Sequence, residues 1–140
     1  TNIGIHFFDM LHWLFGDVKN NIVHLHTHDR AAGFLEFEKA RVRWFLSIDA
    51  NTLPETALQK NMRTYRSMTL EGEEIEFSDG FTDLHTRSYQ EIISGKGFGV
   101  ADTLPSIRIA ADIRNAQPVG LKGEFHPYAK LPQTKHTFNN

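Results

Sequence analysis

The chain opens on Thr1-Asn2-Ile3-Gly4-Ile5-His6-Phe7-Phe8-Asp9, which sets one imidazole about a helical turn from an amide on one side and a carboxylate on the other. Histidine exchanges a proton near neutral pH, so His6 is suited to work as general base or proton relay. On the residues alone a second reading stands beside it: a core histidine whose ring nitrogens are satisfied inside the fold. Asn2 can hydrogen-bond a hydroxyl without taking its proton, or it can cap a helix. Asp9 falls on the same helical face as His6 and either orients the imidazole or bonds within the core. Gly4 permits close backbone approach, to a cofactor or to a neighbouring strand.

Other residue types on the chain suit oxyanions and hydroxyls. Arg43 and Arg66 offer the forked geometry that matches carboxylates and phosphates, although Glu36 is an available ion-pair partner for Arg43. Ser47, Asp49 and Asn51 end a polar-faced strand and could meet hydroxyl groups, or simply face solvent. Thr82, His85 and Thr86 lie where a helix begins, a place that favours anions, but a capped surface helix explains them equally. His24-x-His26-x-His28 puts three imidazoles on one strand face. Side chains at alternate strand positions point roughly parallel, and no cysteine or clear carboxylate completes a ligand set, so the reading is a solvated face and no metal is assigned.

The bulk composition bounds what these groups can belong to. A chain of 140 residues with 11 Phe has enough apolar material for a core of its own. Its net charge of −2 gives no basic surface for nucleic acid or anionic membrane. Cysteine is absent, which rules out disulfides and thiolate metal sites and suits a cytoplasmic setting. No apolar run approaches the length that spans a bilayer. The abrupt start inside an apolar element, without Met, leads us to expect a piece cut from a longer protein; an upstream stop codon beside Thr1 would end that idea.

Several elements must position the candidate groups. Ile3, Phe7, Phe8, Leu11, Leu14 and Phe15 have helical spacing, which predicts a helix over 3–15 ended by Gly16. A strand is expected over 22–28. A hairpin over 33–49 is expected to turn at Lys39-Ala40, with Glu38 opposite Arg41, Phe37 opposite Val42, Glu36 opposite Arg43 and Leu35 opposite Trp44. Lys-Ala is a poor two-residue turn, which leaves room for a longer one. In this register Arg41, Arg43, Ser47 and Asp49 share a polar face that could meet water, a ligand or another subunit. Residues 50–64 read as a loop, 64–70 and 74–77 as two strands, 83–94 as a helix, and 103–116 as a helix with Pro105 in its first turn. These elements make an α+β domain over 1–116, its sheet antiparallel or mixed with helices on one face. The Pro-containing stretch 117–140 reads as a polar, loose tail.

At this level the sequence resembles a known family. Residues 2–9 resemble the Asp-x-Gly-x-His-x-x-Asp motif that opens the C-terminal domain of the glucose–fructose oxidoreductase/inositol dehydrogenase family. The stretches RVRWFLSIDAN, RSMTLEGEEIEFSDGFTDLHTRSYQEIISGKG and PSIRIAADIRNA are similar to its bacterial UDP-N-acetylglucosaminuronate 3-dehydrogenases of lipopolysaccharide sugar synthesis. The resemblance covers roughly residues 1–116. It implies a two-domain NAD enzyme that oxidises a secondary alcohol, with His6 as its catalytic base, Asn2, Asp9, Arg43, Ser47, Asp49, Arg66, Thr82 and His85 toward the substrate, and Gly4 toward the cofactor. It implies a UDP-sugar substrate, 2-oxoglutarate as a possible co-substrate, and a homodimer or homotetramer formed through the sheet. Asn2 departs from the family's Asp and so would position a hydroxyl rather than take a proton.

The family's Rossmann half is absent from this chain. Gly95-Lys96-Gly97-Phe98-Gly99 is rejected as a phosphate loop, because such a fingerprint follows a strand and opens a helix, whereas these glycines join two helices. The family's Glu-Lys-Pro lysine is missing as well, so the fragment alone is expected to be inactive. Two other readings remain open: a different sugar or inositol dehydrogenase of the same superfamily, and a non-catalytic carbohydrate-binding or oligomerisation module.

Overall fold

The computed structural model describes residues 4–79 and 82–133. They form two compact units, one from the described residues of 1–49 and 99–140, the other from those of 50–98. This division falls elsewhere than the 1–116 and 117–140 division expected from sequence.

The first unit is a three-stranded antiparallel sheet with helices on one face. Helix α1 (Gly4–Phe15) leads into β1 (Val18–His26), β2 (Arg30–Phe37) and β3 (Arg41–Ser47), which pair in that order. α1 forms where the apolar spacing predicts it and buries Gly4, Phe8 and Leu11. Phe8 meets Trp44 edge-on, ring centroids 5.5 Å apart at 80°. Gly16, with φ of +84°, ends the helix in a conformation that favours glycine. Helix α4 (Val100–Asn115) packs against α1 and β1 and buries Ile109, Ala110 and Ile113.

The hairpin of β2 and β3 has the expected faces but a different register. Glu36 lies opposite Arg41, Leu35 opposite Val42, Phe34 opposite Arg43 and Gly33 opposite Trp44. The turn is longer than Lys39-Ala40, closed by the Phe37 N–H donating to the Ala40 carbonyl at 2.8 Å. A slip of two residues keeps every side chain on its face, because the side-chain period of a strand is two. Arg43 therefore faces Phe34 rather than the expected Glu36.

Strand β1 departs further. Its pairing with β2 shifts between Val23 and Leu25, so His24 occupies an irregularity and is buried together with Val23. The expected solvated row of His24, His26 and His28 does not exist: His26 and His28 are exposed, His24 is not.

α4 begins earlier than expected, at Val100 after Gly99, and the Asp102 carboxylate accepts the Gly99 N–H at 2.7 Å. Pro105 therefore sits past the first turn, inside the helix. After α4 the chain returns across the outer face of the sheet. The Val119 N–H donates to the Val23 carbonyl at 2.9 Å, and residues Pro127–Lys130 form a 3-10 turn. Instead of hanging loose, this stretch lies on the sheet face read as open: Phe45 stacks on His126 at 5.7 Å and meets Tyr128 edge-on at 5.8 Å.

The second unit is less buried. It holds a 3-10 turn (Ala50–Thr52), short helix α2 (Glu55–Gln59), the hairpin β4 (Ser67–Leu70) and β5 (Glu73–Glu76), and helix α3 (Leu84–Ile93). The hairpin turns at Glu71 and Gly72, both at positive φ, as a tight antiparallel connection requires. Asp83, the residue before α3, takes a left-handed backbone conformation and makes no capping bond with its side chain.

Candidate active site

α1 sorts its residues by face, and this sorting decides the status of His6. Gly4 and Phe8 face the sheet and Leu11 is buried with them, whereas His6, Asp9 and Trp13 stand on the exposed face. His6 is exposed, which rejects the satisfied core histidine and leaves an imidazole free to meet a ligand. Asp9 is exposed about one turn further on. Among the described residues no hydrogen bond ties Asp9 to His6. Asn2 lies outside the described residues.

Gly4 is buried beneath that same first turn. A β-carbon placed on it would lie 2.5 Å from Leu46 Cδ1 and 3.2 Å from Phe8 Cε2. The close approach is thus to strand β3 and to the helix's own Phe8, the second of the two readings of this glycine. The absence of a side chain lets the first turn of α1, with His6, settle onto the end of β3.

Ser47 and Asp49 sit just beyond, and both are engaged within the protein. The Ser47 Oγ accepts the Asp49 N–H at 3.0 Å. The Asp49 carboxylate accepts from Arg30 Nη2 at 2.9 Å. Arg30 is the group that sequence reasoning missed. Its guanidinium side chain is 1 % exposed and also reaches Asp29 at 3.4 Å. The Thr27 hydroxyl donates to Asp29 at 2.6 Å, and this bond, with the Arg30 charge against the cost of burial, holds the Asp29 carboxyl below its usual range. The Asp29 carbonyl accepts the Ile48 N–H at 2.9 Å. Ser47 and Asp49 thus belong to a junction that fixes the exit of β3. The only signal in the sequence was a charged pair, Asp29-Arg30, at the start of an otherwise apolar run.

Arg43 is exposed on the outer face of β3. His126 next to it is held below the ordinary imidazole value, mainly by burial and secondarily by the Arg43 charge.

In the second unit, Arg66 is bound to its own hairpin: its Nη1 donates to the Ser78 carbonyl at 2.9 Å and its N–H to the Ser78 Oγ at 2.9 Å. Thr82 and His85 are exposed at the start of α3. Among the described residues no group of three or more His, Cys, Asp or Glu could hold a metal ion, and no helix is long and apolar enough to cross a membrane.

Comparison with known proteins gives this arrangement a family. Residues 1–64 match the model of the oxidoreductase family, C-terminal alpha/beta domain. The chain is similar to the WlbA (WbpB) dehydrogenase from Thermus thermophilus crystallised with NAD and alpha-ketoglutarate, at 50% identity and a TM-score of 0.86, over 91% of this chain and 42% of that one. A second structure of WlbA (WbpB) dehydrogenase from the same organism, in complex with NAD and UDP-GlcNAcA, matches at 48% identity and a TM-score of 0.85, over 91% of this chain and 41% of that one. The chain therefore spans about two fifths of the length of the solved proteins it matches. Residues 1–64, with the exposed His6 motif on α1 and the sheet strands that follow it, therefore carry the C-terminal alpha/beta domain of this oxidoreductase family.

Proposed function

We propose that this chain is the substrate-side domain of an NAD-dependent dehydrogenase that oxidises C3 of a UDP-N-acetylhexosaminuronate in lipopolysaccharide (O-antigen) sugar biosynthesis. The observation that carries the reading is the 48% identity over 91% of the chain to a dehydrogenase crystallised with NAD and UDP-GlcNAcA. The outward His6 supports it from the chain's own geometry.

Oxidation of a secondary alcohol removes a hydride from carbon and a proton from oxygen. NAD, when bound, supplies the hydride acceptor. The described residues offer it no pyrophosphate cradle: Gly4 is filled by Leu46 and Phe8, and Gly95–Gly99 joins α3 to α4. We therefore place the dinucleotide on a further domain of the full polypeptide and give this chain the proton and the sugar. His6 takes the hydroxyl proton, within hydrogen-bond reach of the substrate oxygen. Asn2 positions a hydroxyl and Asp9 orients the imidazole once substrate is present. Arg66, Thr82 and His85 are carried as further substrate contacts, for the hexuronate carboxylate or the diphosphate, whereas Arg43 stands on the sheet face away from α1 and His6 and is not among them. Ser47 and Asp49 serve by holding the exit of β3 under α1. The fragment alone is inactive, the polypeptide is cytoplasmic, and it assembles as a homodimer or homotetramer through the sheet.

Reduced-nicotinamide absorbance tests this on the full polypeptide. With UDP-N-acetylglucosaminuronate we expect the absorbance to rise, and to decay when 2-oxoglutarate is added to reoxidise the cofactor. Preference for a free sugar or inositol would contradict the substrate assignment, and absence of bound NAD would contradict the dehydrogenase.

A further inference from the structure

The buried Arg30 junction reaches beyond the sheet. The same guanidinium that pairs with Asp49 and Asp29 through Nη2 uses Nη1 to donate to the backbone carbonyls of Leu131 and Pro132, each at 3.1 Å. These acceptors lie 101 and 102 positions along the chain. They close a run whose other contacts are of a different kind. Glu124 pairs with Arg41 at 3.3 Å on the surface. His126 and Tyr128 rest on Phe45, and the His126 Nδ1 accepts the Tyr128 N–H at 3.1 Å. Lys130 Nζ lies over the Phe125 ring at 5.1 Å.

These contacts differ in strength. The exposed Arg41–Glu124 pair is screened and holds little. The ring contacts hold through a half-buried area. The Arg30 bonds are charge-assisted, sequestered and made to backbone, so no change of side chain along the run can replace them. Arg30 meanwhile keeps its carboxylate partners whether or not the run is docked, so the cation is not left unpaired on opening.

We propose that residues 124–132 are a latched strap over the outer face of the sheet, with Arg30 as the latch, and that release of the Leu131 and Pro132 carbonyls uncovers Phe45 while the sheet stays folded. The strap is a conformational device independent of the catalytic reading, since none of the contacts named above involves α1.

Hydrogen exchange followed by mass spectrometry on the full chain tests it, with two variants. Arg30→Met removes the latch and its ion pairs. A chain ending at Lys130 removes the two acceptor carbonyls together with the rest of residues 131–140, the Leu131 N–H bond to the Tyr128 carbonyl included, and leaves Arg30 with Asp49 and Asp29. In both, amides of 124–130 should exchange at least tenfold faster than in wild type, and those of β2 and β3 should keep their protection. Arg30→Lys, which keeps the charge but loses the fork, should fall between. If Arg30→Met fails to fold, the shortened chain decides alone. Unchanged exchange in the strap of the shortened chain would overturn the proposal. So would an equal rise across β2 and β3, which would make the run part of the sheet's core.

Discussion

Gly4 lies against Leu46 with no room for a methyl group: a β-carbon there would stand 2.5 Å from Leu46 Cδ1. That contact joins the turn carrying His6 to the end of β3. Its obstacle is the tip of a flexible side chain, which can rotate away. Alanine also favours a helix by up to about 1 kcal/mol over glycine. Gly4→Ala should therefore leave stability within about 1 kcal/mol of wild type. It should displace the first turn, and misplacement of a reacting group by about 1 Å can cost on the order of a hundredfold in rate. Thermal unfolding with steady-state kinetics of the full polypeptide checks this split between preserved fold and reduced kcat.

Gly33 makes the opposite case. A β-carbon there would lie 2.5 Å from the Ile22 carbonyl oxygen and 2.6 Å from Trp44 Cζ2. A backbone carbonyl in a strand pair cannot rotate away, and Trp44 is already held edge-on by Phe8. Gly33→Ala should destabilise by about 1–3 kcal/mol, the usual cost of overpacking, and alter the near-ultraviolet signal of Trp44. A denaturant titration followed by that signal measures it.

His126 links strap docking to pH. Burial and the Arg43 charge keep its folded pKa below the ordinary 6.5. The folded state thus favours neutral imidazole, whose Nδ1 accepts the Tyr128 N–H. Its stabilising contribution is complete above the unfolded value and is lost as pH falls through the lowered folded value. Amides of 124–130 should therefore lose protection, relative to β2, as pH is brought from 7.5 to about 5, and His126→Phe should weaken that dependence. A proton NMR titration should give His126 a midpoint below the ordinary 6.5.

The parts of the fold that sequence made legible are those with a local period. α1 follows from Ile3, Phe7, Phe8 and Leu11 with Gly16 as its stop, and the two faces of β3 follow from alternation. Register was not legible, because the length of the turn at Phe37–Ala40 depends on backbone bonds that the sequence does not display. His24 was misread because an irregularity in β1 breaks the alternation without any glycine or proline to announce it. The strap was misread because Pro127, Tyr128 and Pro132 carry no period, and its anchor is Arg30, remote in sequence. Of the site, His6 was legible by type and spacing, and the structure adds that it faces outward. Ser47 and Asp49 were found at the right strand end, but their partner Arg30 was hidden, since a buried charge is recognised only by what surrounds it.

The role of His6 as acceptor of the substrate proton is probed by replacing it in the full polypeptide. His6→Asn keeps hydrogen-bonding capacity but cannot accept the proton. Reduced-nicotinamide formation with UDP-N-acetylglucosaminuronate should fall on the order of 10²–10⁴-fold in kcat, the usual worth of a general base, with bound NAD and the unfolding temperature unchanged. Turnover within about threefold of wild type, far short of that range, would show that His6 is not the base and contradict the account.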